Sequence, residues 1–520
     1  MRCFAKVVLT LCGFCVCMVA ASVGSAAPAG PAAGKVAPSV AARVSSMRQT
    51  DEIRVIVQGR GAASATEAAH GRVGRQLGLV GGVAATVPAG AVARLAADPN
   101  VAFVALDSPI RLAATGAVST SSLATTFPSR DAVSKPWGAG MTGQGVGIAV
   151  IDSGVTPSAD FGTRLIRVPL DGQLGSLDDM IGHGTMVAGV AAGRSADGKY
   201  IGIAPGANVY ALNINRPTGV YTSDVITALK WVFDNAHAYN IRVVNLSLTE
   251  TVTSSYTQSP LDLAVERLWA SGVFVAVSAG NLGAGQIDYA PANDPLVETV
   301  GAFDMKDTSG GKDDALLTWS SSGVTVDGFA KPEIVVPGRH IQSPLPIGSY
   351  LDTVAPLASR VAPGYASING TSFAAPQVAG AAAILFQEHP TWNPDNVKWL
   401  LTNKPGPKPK SSSVGSLNLG PVYDFNSTPG RANQGVPALV CAPGTTCLGD
   451  TTVASSWDSS SWNSSSWNSS SWNSSSWNST SWNSTTSWDS SSWNSSSWNS
   501  TSWNTASWNG DPLSGFDPWN

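Results

Sequence analysis

Charge is scarce in this 520-residue chain: Asp, Glu, Lys and Arg make up only 13% of it, about half the share usual in globular proteins. A net charge of −4 without basic clusters excludes a nucleic-acid surface. Residues 451–520 hold no Lys or Arg and only Asp458, Asp489, Asp511 and Asp517 on the acidic side, which leaves the rest of the chain balanced. Cysteine is equally sparse. Four of the six (Cys3, Cys12, Cys15, Cys17) fall near the start, so no disulfide framework or thiolate metal set can be built. Cys441 and Cys447 could close one small loop in an oxidising compartment. Long apolar runs are missing too. Val7–Ala20 is too short to span a bilayer, and no later segment reaches about 18 apolar residues. Arg2 and Lys6 before that run, and small residues over Ser22–Gly30 after it, read as a secretory signal over residues 1–27. The expected location is therefore secreted, with cell-surface association open.

What the chain does have is organised in blocks. Residues 28–50 are rich in Ala, Pro and Gly and read as a linker. A small α+β domain is expected over 51–112: strand Ile53–Gly59, helix Ala65–Gly78, strand Gly81–Pro88, then a further helix and strand. A polar Ser/Thr-rich stretch within 113–130 is suited to being cut. From 131 to 405, apolar runs such as Gly145–Gly154, Ala207–Asn215, Ile241–Leu248 and Val273–Asn281 alternate with helical patterns at Ser223–Asn240, Ser259–Gly272 and Asn393–Lys404. That alternation predicts an α/β fold, a parallel sheet with helices on both faces, whose ligand sites lie at the carboxyl ends of the strands. Residues 406–450 read as a second linker.

Three stretches carry candidate chemistry. "VIDSGV" ends an apolar strand on Asp152, "GHGTMVAG" sets His183 between glycines at the mouth of a helix, and "NGTSFAAP" puts Ser372 before an apolar helix. Each has an ordinary structural explanation: a turn carboxylate, a buried histidine, a helix N-cap. Together they supply what hydroxyl catalysis needs, a nucleophile, a base and a group to orient the base. A helix beginning at Ser372 would also turn backbone N–H groups toward a developing oxyanion.

In the order Asp, His, Ser, these blocks resemble the signature motifs of the subtilisin-like serine proteases, or subtilases. The resemblance covers roughly residues 130–405. It implies Ser372 as nucleophile, His183 as general base and Asp152 as its orienting carboxylate, with Asn281 of "VSAGNLG" as an oxyanion donor. It further implies a substrate groove formed by Ser247, Leu248 and Thr249 and by Ser278, Ala279 and Gly280. Thr249–Glu250 stands where the family often has Gly-Gly, and Asp288 and Tyr289 fall near the primary pocket. Residues 51–112 resemble the family's inhibitory propeptide. Protein substrates and the chain's own propeptide are then the expected partners. No cofactor is expected to be required; structural Ca²⁺ is common in the family, and no oxygen-rich loop stands out for it, so a metal is left open.

Twelve of the 18 Trp fall in Trp457–Trp519, mostly five residues apart within "SWNSS" repeats. A period of five gives neither a helix nor a strand one apolar face. The low-complexity tail is either a spacer or a multivalent contact to polysaccharide, a surface or itself. Two functions follow: a secreted protease made as a zymogen, or a wall-associated binding protein on an inactive protease scaffold. The complete set Asp152, His183, Asn281 and Ser372 favours the first.

Overall fold

The computed structural model describes residues 34–112, 115–116, 125–170, 177–216, 219–306, 308 and 311–439. The expected signal, the Cys441–Cys447 loop and the Trp repeat lie outside the described residues.

The small domain is a four-stranded antiparallel sheet in the order β2-β3-β1-β4. Its elements run α1 (Pro38–Ser45), β1 (Glu52–Gln58), α2 (Ala62–Ala68), β2 (Arg72–Leu77), β3 (Gly82–Pro88), α3 (Val92–Ala97) and β4 (Phe103–Leu106). Because side chains alternate along a strand, the sheet has two apolar faces. Val55, Val57, Val83, Ala85 and Val87 bury against the domain's own helices, while Ile56 and Ala84 join the core of the large domain.

Two expectations are corrected here. The helix expected over Ala65–Gly78 stops at Ala68; His70 takes a positive φ of 62°, and the following residues form β2 against β3. Gly71 and Gly74 weaken the helix, and pairing with β3 outweighs local propensity. The linker expected over 28–50 contains α1, with Pro38 in its first turn. Val36 pairs with Val104 and Val40 is fully buried, so the small domain begins well before residue 51.

After β4 the chain runs through β5 (Ile110–Leu112) and β6 (Thr115–Gly116) into the large domain. There β7 (Gly147–Asp152), β8 (Leu165–Val168), β9 (Asn208–Asn213), β10 (Ile241–Leu246), β12 (Phe274–Ser278) and β13 (Glu298–Asp304) form a parallel sheet, ordered β13-β12-β10-β7-β9-β8. The short β14 (Ala315–Leu316) adds antiparallel to β13, and Ile334–Pro337 adds parallel to it. Strands β7, β10, β12 and β13 are buried along their whole length, as expected of a sheet covered on both faces. Helices His183–Ala192 and Ala375–Glu388 pack together on one side. Helices Thr222–Tyr239 and Pro260–Ala270 pack on the other, and they also meet the small domain. The strand β11 (Leu248–Glu250) continues beyond β10 and pairs with β5.

The large domain is also wider than its expected limits of 131 and 405. Phe127 is already buried, and Leu417, Leu419, Val422 and Leu439 pack into the same core, so the described part of the expected 406–450 linker is folded. A buried ion pair fastens these flanks. Arg130 donates through Nε and Nη2 to Asp314 Oδ2 at 2.8 and 2.5 Å, and through Nη2 to Ser416 Oγ at 3.2 Å. Replacing Arg130 by Met is expected to cost about 3–5 kcal/mol, because Asp314 would stay buried without its cation. Thermal unfolding checks this: an unchanged Tm would mean the flanks are held by apolar packing alone.

Candidate active site

Asp152 is the last residue of β7 and is completely buried. Its Oδ1 accepts from the Ser153 N–H at 2.7 Å and faces His183 Nδ1 at 2.7 Å. A carboxylate can only accept here, so Nδ1 carries the proton and Nε2 is left as the basic nitrogen. The contact requires the helix His183–Ala192 to begin almost against the end of β7. Gly184 makes that possible: a Cβ there would lie 2.2 Å from the Gly154 carbonyl and 3.0 Å from Asp152 Cβ.

Sequence reasoning missed Asp179, four residues before the histidine. Its buried carboxylate accepts from Ser153 Oγ at 2.7 Å, the Gly182 N–H at 2.7 Å, and Thr185 N–H and Oγ at 2.7 and 2.8 Å. Burial raises its pKa, against the lowering effect of these bonds. Asp179 thus ties the turn before His183 to the residue after Asp152. Only the carboxylate's presence inside the histidine block could have signalled this.

Ser372 sits in a short 3-10 turn, Thr371–Phe373, and the α-helix starts only at Ala375. The serine therefore precedes the helix instead of opening it. Gly370, at φ 139° and ψ 153°, supplies a backbone conformation that favours glycine. Ser247 Oγ donates to the Ser372 carbonyl at 2.8 Å, and Ser372 Oγ donates to the Ser247 carbonyl at 3.4 Å. The Phe373 ring stands 5.4 Å from the His183 imidazole, so the serine turn and the histidine helix share one corner of the sheet. Asn281 completes that corner. Its Oδ1 accepts from Thr371 N–H and Oγ at 3.0 and 2.9 Å, which assigns Nδ2 to the opposite side as a donor.

The expected groove residues lie on two walls. On one, β11 pairs antiparallel with β5, matching Leu248 with Leu112, Thr249 with Arg111 and Glu250 with Ile110. On the other, Ala279 donates its N–H to the Val300 carbonyl, and Gly280 donates its N–H to Thr371 Oγ. Ser247 and Ser278, at the strand ends beside them, are fully buried. Beyond Ser372, Gly116 and Thr115 pair with Ile368 and Asn369. Asp288 lies beyond these walls, its Oδ1 accepting from the Val326 N–H at 2.7 Å.

No group of three or more His, Cys, Asp or Glu among the described residues could hold a metal ion. Where carbonyls do converge, at residues 294–297, the site is taken from within. Lys398 Nζ donates to the carbonyls of Pro295, Leu296 and Val297 at 3.1, 3.1 and 2.8 Å, and Lys331 Nζ donates to that of Asp294. Both ammoniums share Glu333 Oε1. Nearby, burial pushes the Glu298 carboxyl up to about 8 and Asp294 up to about 6. This donor set does not suit Ca²⁺.

Residues 143–420 match a sequence model described as the subtilase family. Serine protease AprX of Bacillus subtilis is 36% identical over 305 residues, 56% of this chain and 68% of that protein. Subtilisin Savinase of Lederbergia lenta is 32% identical over 300 residues, 55% of this chain and 95% of the relative. The fold resembles that of fervidolysin from Fervidobacterium pennivorans, described as a keratinolytic enzyme related to subtilisin. The TM-score is 0.59 at 22% identity, covering 77% of this chain and 64% of fervidolysin.

A methyl group at residue 184 should force the helix away from the strand. Gly184→Ala is expected to lose about 1–3 kcal/mol of stability, as overpacked cores do. Its kcat/KM should fall by at least about tenfold through a longer Asp152–His183 contact. Thermal melts and peptide hydrolysis measure both; wild-type values in both would show that the close approach is dispensable.

Proposed function

Because this chain belongs to the subtilase family, whose members are serine endopeptidases, we propose that it is a secreted protease made as a zymogen, with Asp152, His183 and Ser372 as its triad. Ser372 Oγ attacks the scissile carbonyl as His183 Nε2 takes its proton. Asp152 holds the Nδ1 proton and offsets the imidazolium charge. Asn281 Nδ2 and the Ser372 backbone N–H donate to the oxyanion. Removing the equivalent side-chain donor from subtilisin costs about 10²–10³ in kcat, which gives the scale of that bond. His183 then returns its proton to the leaving amine, and an acyl group remains on Ser372. A water activated by the same imidazole hydrolyses it.

The observation that carries this reading is main-chain pairing on both sides of Ser372. β5 pairs with β11, and β6 pairs with Ile368 and Asn369, so the segment after the small domain enters and leaves the groove as a substrate would. The sequence between these two segments is Ala113–Ala114. The small domain then acts as an inhibitory propeptide until that stretch is cut. Its hold is partly electrostatic. Asp107 caps the helix Thr222–Tyr239, accepting from Ser223 N–H and Oγ at 2.9 and 3.0 Å, and Arg75 reaches Asp224 at 3.1 Å.

Secretion rests on the N-terminal pattern of basic, apolar and small residues; among the described residues no helix is long and apolar enough to cross a membrane. For the tail, aromatic repetition supports a multivalent contact to a surface or polysaccharide.

Mass spectrometry of the secreted protein tests the zymogen reading. Wild type is expected to yield a mature chain beginning at Ala114, and Ser372→Ala to keep the propeptide attached; a processed Ser372→Ala chain would remove self-cleavage. Release should depend on pH. Burial pushes Glu250 up to about 7 from its ordinary 4.5, with Asp107 of the propeptide adding to the rise. The part of that rise caused by Asp107 exists only in the complex, so Glu250 gains a proton on association. That contribution is complete below the free value and is lost as pH rises through about 7. Once the serine is blocked by a small fluorophosphonate, cut propeptide should co-elute with the enzyme at about pH 5 and separate at about pH 8.5. Glu250→Gln should flatten the difference; equal retention in the wild type at both pH values would assign the hold to apolar packing.

A further inference from the structure

We infer that Thr249 closes the primary side-chain pocket to large residues, so that the enzyme cuts after small ones such as alanine. This deepens the proteolytic reading above and rests on it.

The residue whose carbonyl meets Ser372 must lie beside Ser247, because those two serines are hydrogen-bonded to each other. Room for its side chain lies between the two groove walls, β11 and the segment Ala279–Asn281. Thr249 projects into that room: its Cγ2 lies 3.6 Å from the position a Cβ would take on Gly280. A Cα–Cβ bond adds only about 1.5 Å, so methyl and glycine backbone are separated by about 5 Å at most. Any carbon placed between these two atoms needs about 7–8 Å, two contacts of 3.5–4.0 Å. Thr249 and Gly280 therefore close the passage between the walls. Only the shallow room on the Ser372 side of them is left for a side chain, which suits a methyl group and not a ring.

Neither wall is free to retreat. Behind Thr249, Glu250 donates its N–H to the Ala290 carbonyl at 2.8 Å, and its carboxylate accepts from Thr222 Oγ at 2.6 Å. Behind Gly280, the Ser321 N–H donates to the Gly280 carbonyl at 2.9 Å, and Ser321 Oγ accepts from Leu282 N–H at 3.0 Å. Thr249 and Ser321 are both buried.

The experiment uses the processed wild-type enzyme, Thr249→Ala and Thr249→Gly, with tetrapeptide anilides that differ only in ending on Ala or on Phe. Labelling of Ser372 by a fluorophosphonate is read in parallel. In wild type, kcat/KM for the Ala substrate should exceed that for Phe by at least about tenfold, a difference of 1.4 kcal/mol. Thr249→Ala should reduce that ratio, and Thr249→Gly should reduce it further. Wild type that labels at Ser372 yet cleaves after Phe as readily as after Ala overturns the inference and leaves the catalytic reading standing. So does a ratio unchanged in both variants when their melting temperatures match wild type. Wild type that does not label overturns the catalytic reading, and the pocket inference with it.

Discussion

Burying a carboxylate at the end of an apolar strand is costly unless donors meet it, and the architecture around Asp152 follows from meeting it on one side. Its Oδ1 takes both the Ser153 N–H and the His183 imidazole, whereas Oδ2 has no protein partner among the described residues. The negative charge is thereby directed at one ring nitrogen. That arrangement needs a helix start within van der Waals contact of a strand end, hence glycine at 184, and a rigid turn before it, which Asp179 provides. Ser372 and Asn281 are then brought to the same corner by Thr371, which hydrogen-bonds to both Asn281 and Gly280.

The groove uses the same groups twice. The edge of β11 pairs with β5, and in the proposed zymogen the same backbone donors and acceptors serve an extended peptide after release. What differs is the anchoring further along. Asp107 sits on the first turn of the helix Thr222–Tyr239, where unpaired N–H groups and the helix dipole favour an anion. In the proposed zymogen, inhibition adds a second site of contact to a substrate-like one, and the gain comes from their connection within one folded domain.

Much of this was legible because the sheet is parallel and doubly covered. Its strands appear in sequence as continuous apolar runs, and the residues at their carboxyl ends, Asp152, Ser247 and Ser278, fall where such folds build sites. Glycine-flanked His183 and Ser372 could be read for the same reason. What stayed hidden depended on contacts distant in sequence. The strand Arg72–Leu77 exists through pairing with β3, against a helical local pattern. Residues 406–439 look like a linker because few apolar side chains, Leu417, Leu419 and Val422 among them, do their packing. Asp179 shows in the sequence only as a carboxylate inside the histidine block, since its partners are defined only once the turn has closed.

The 294–297 loop has a further thermodynamic character. A loop organised by a dissociable ion is stabilised only to the extent that the ion is present, by an amount that shrinks as the free concentration falls toward its dissociation constant. Here the cationic charge is carried by Lys331 and Lys398, covalently part of the chain and balanced by Glu333. Dilution cannot remove them. The cations that hold the 294–297 carbonyls therefore stay in place whatever the composition of the surrounding solution.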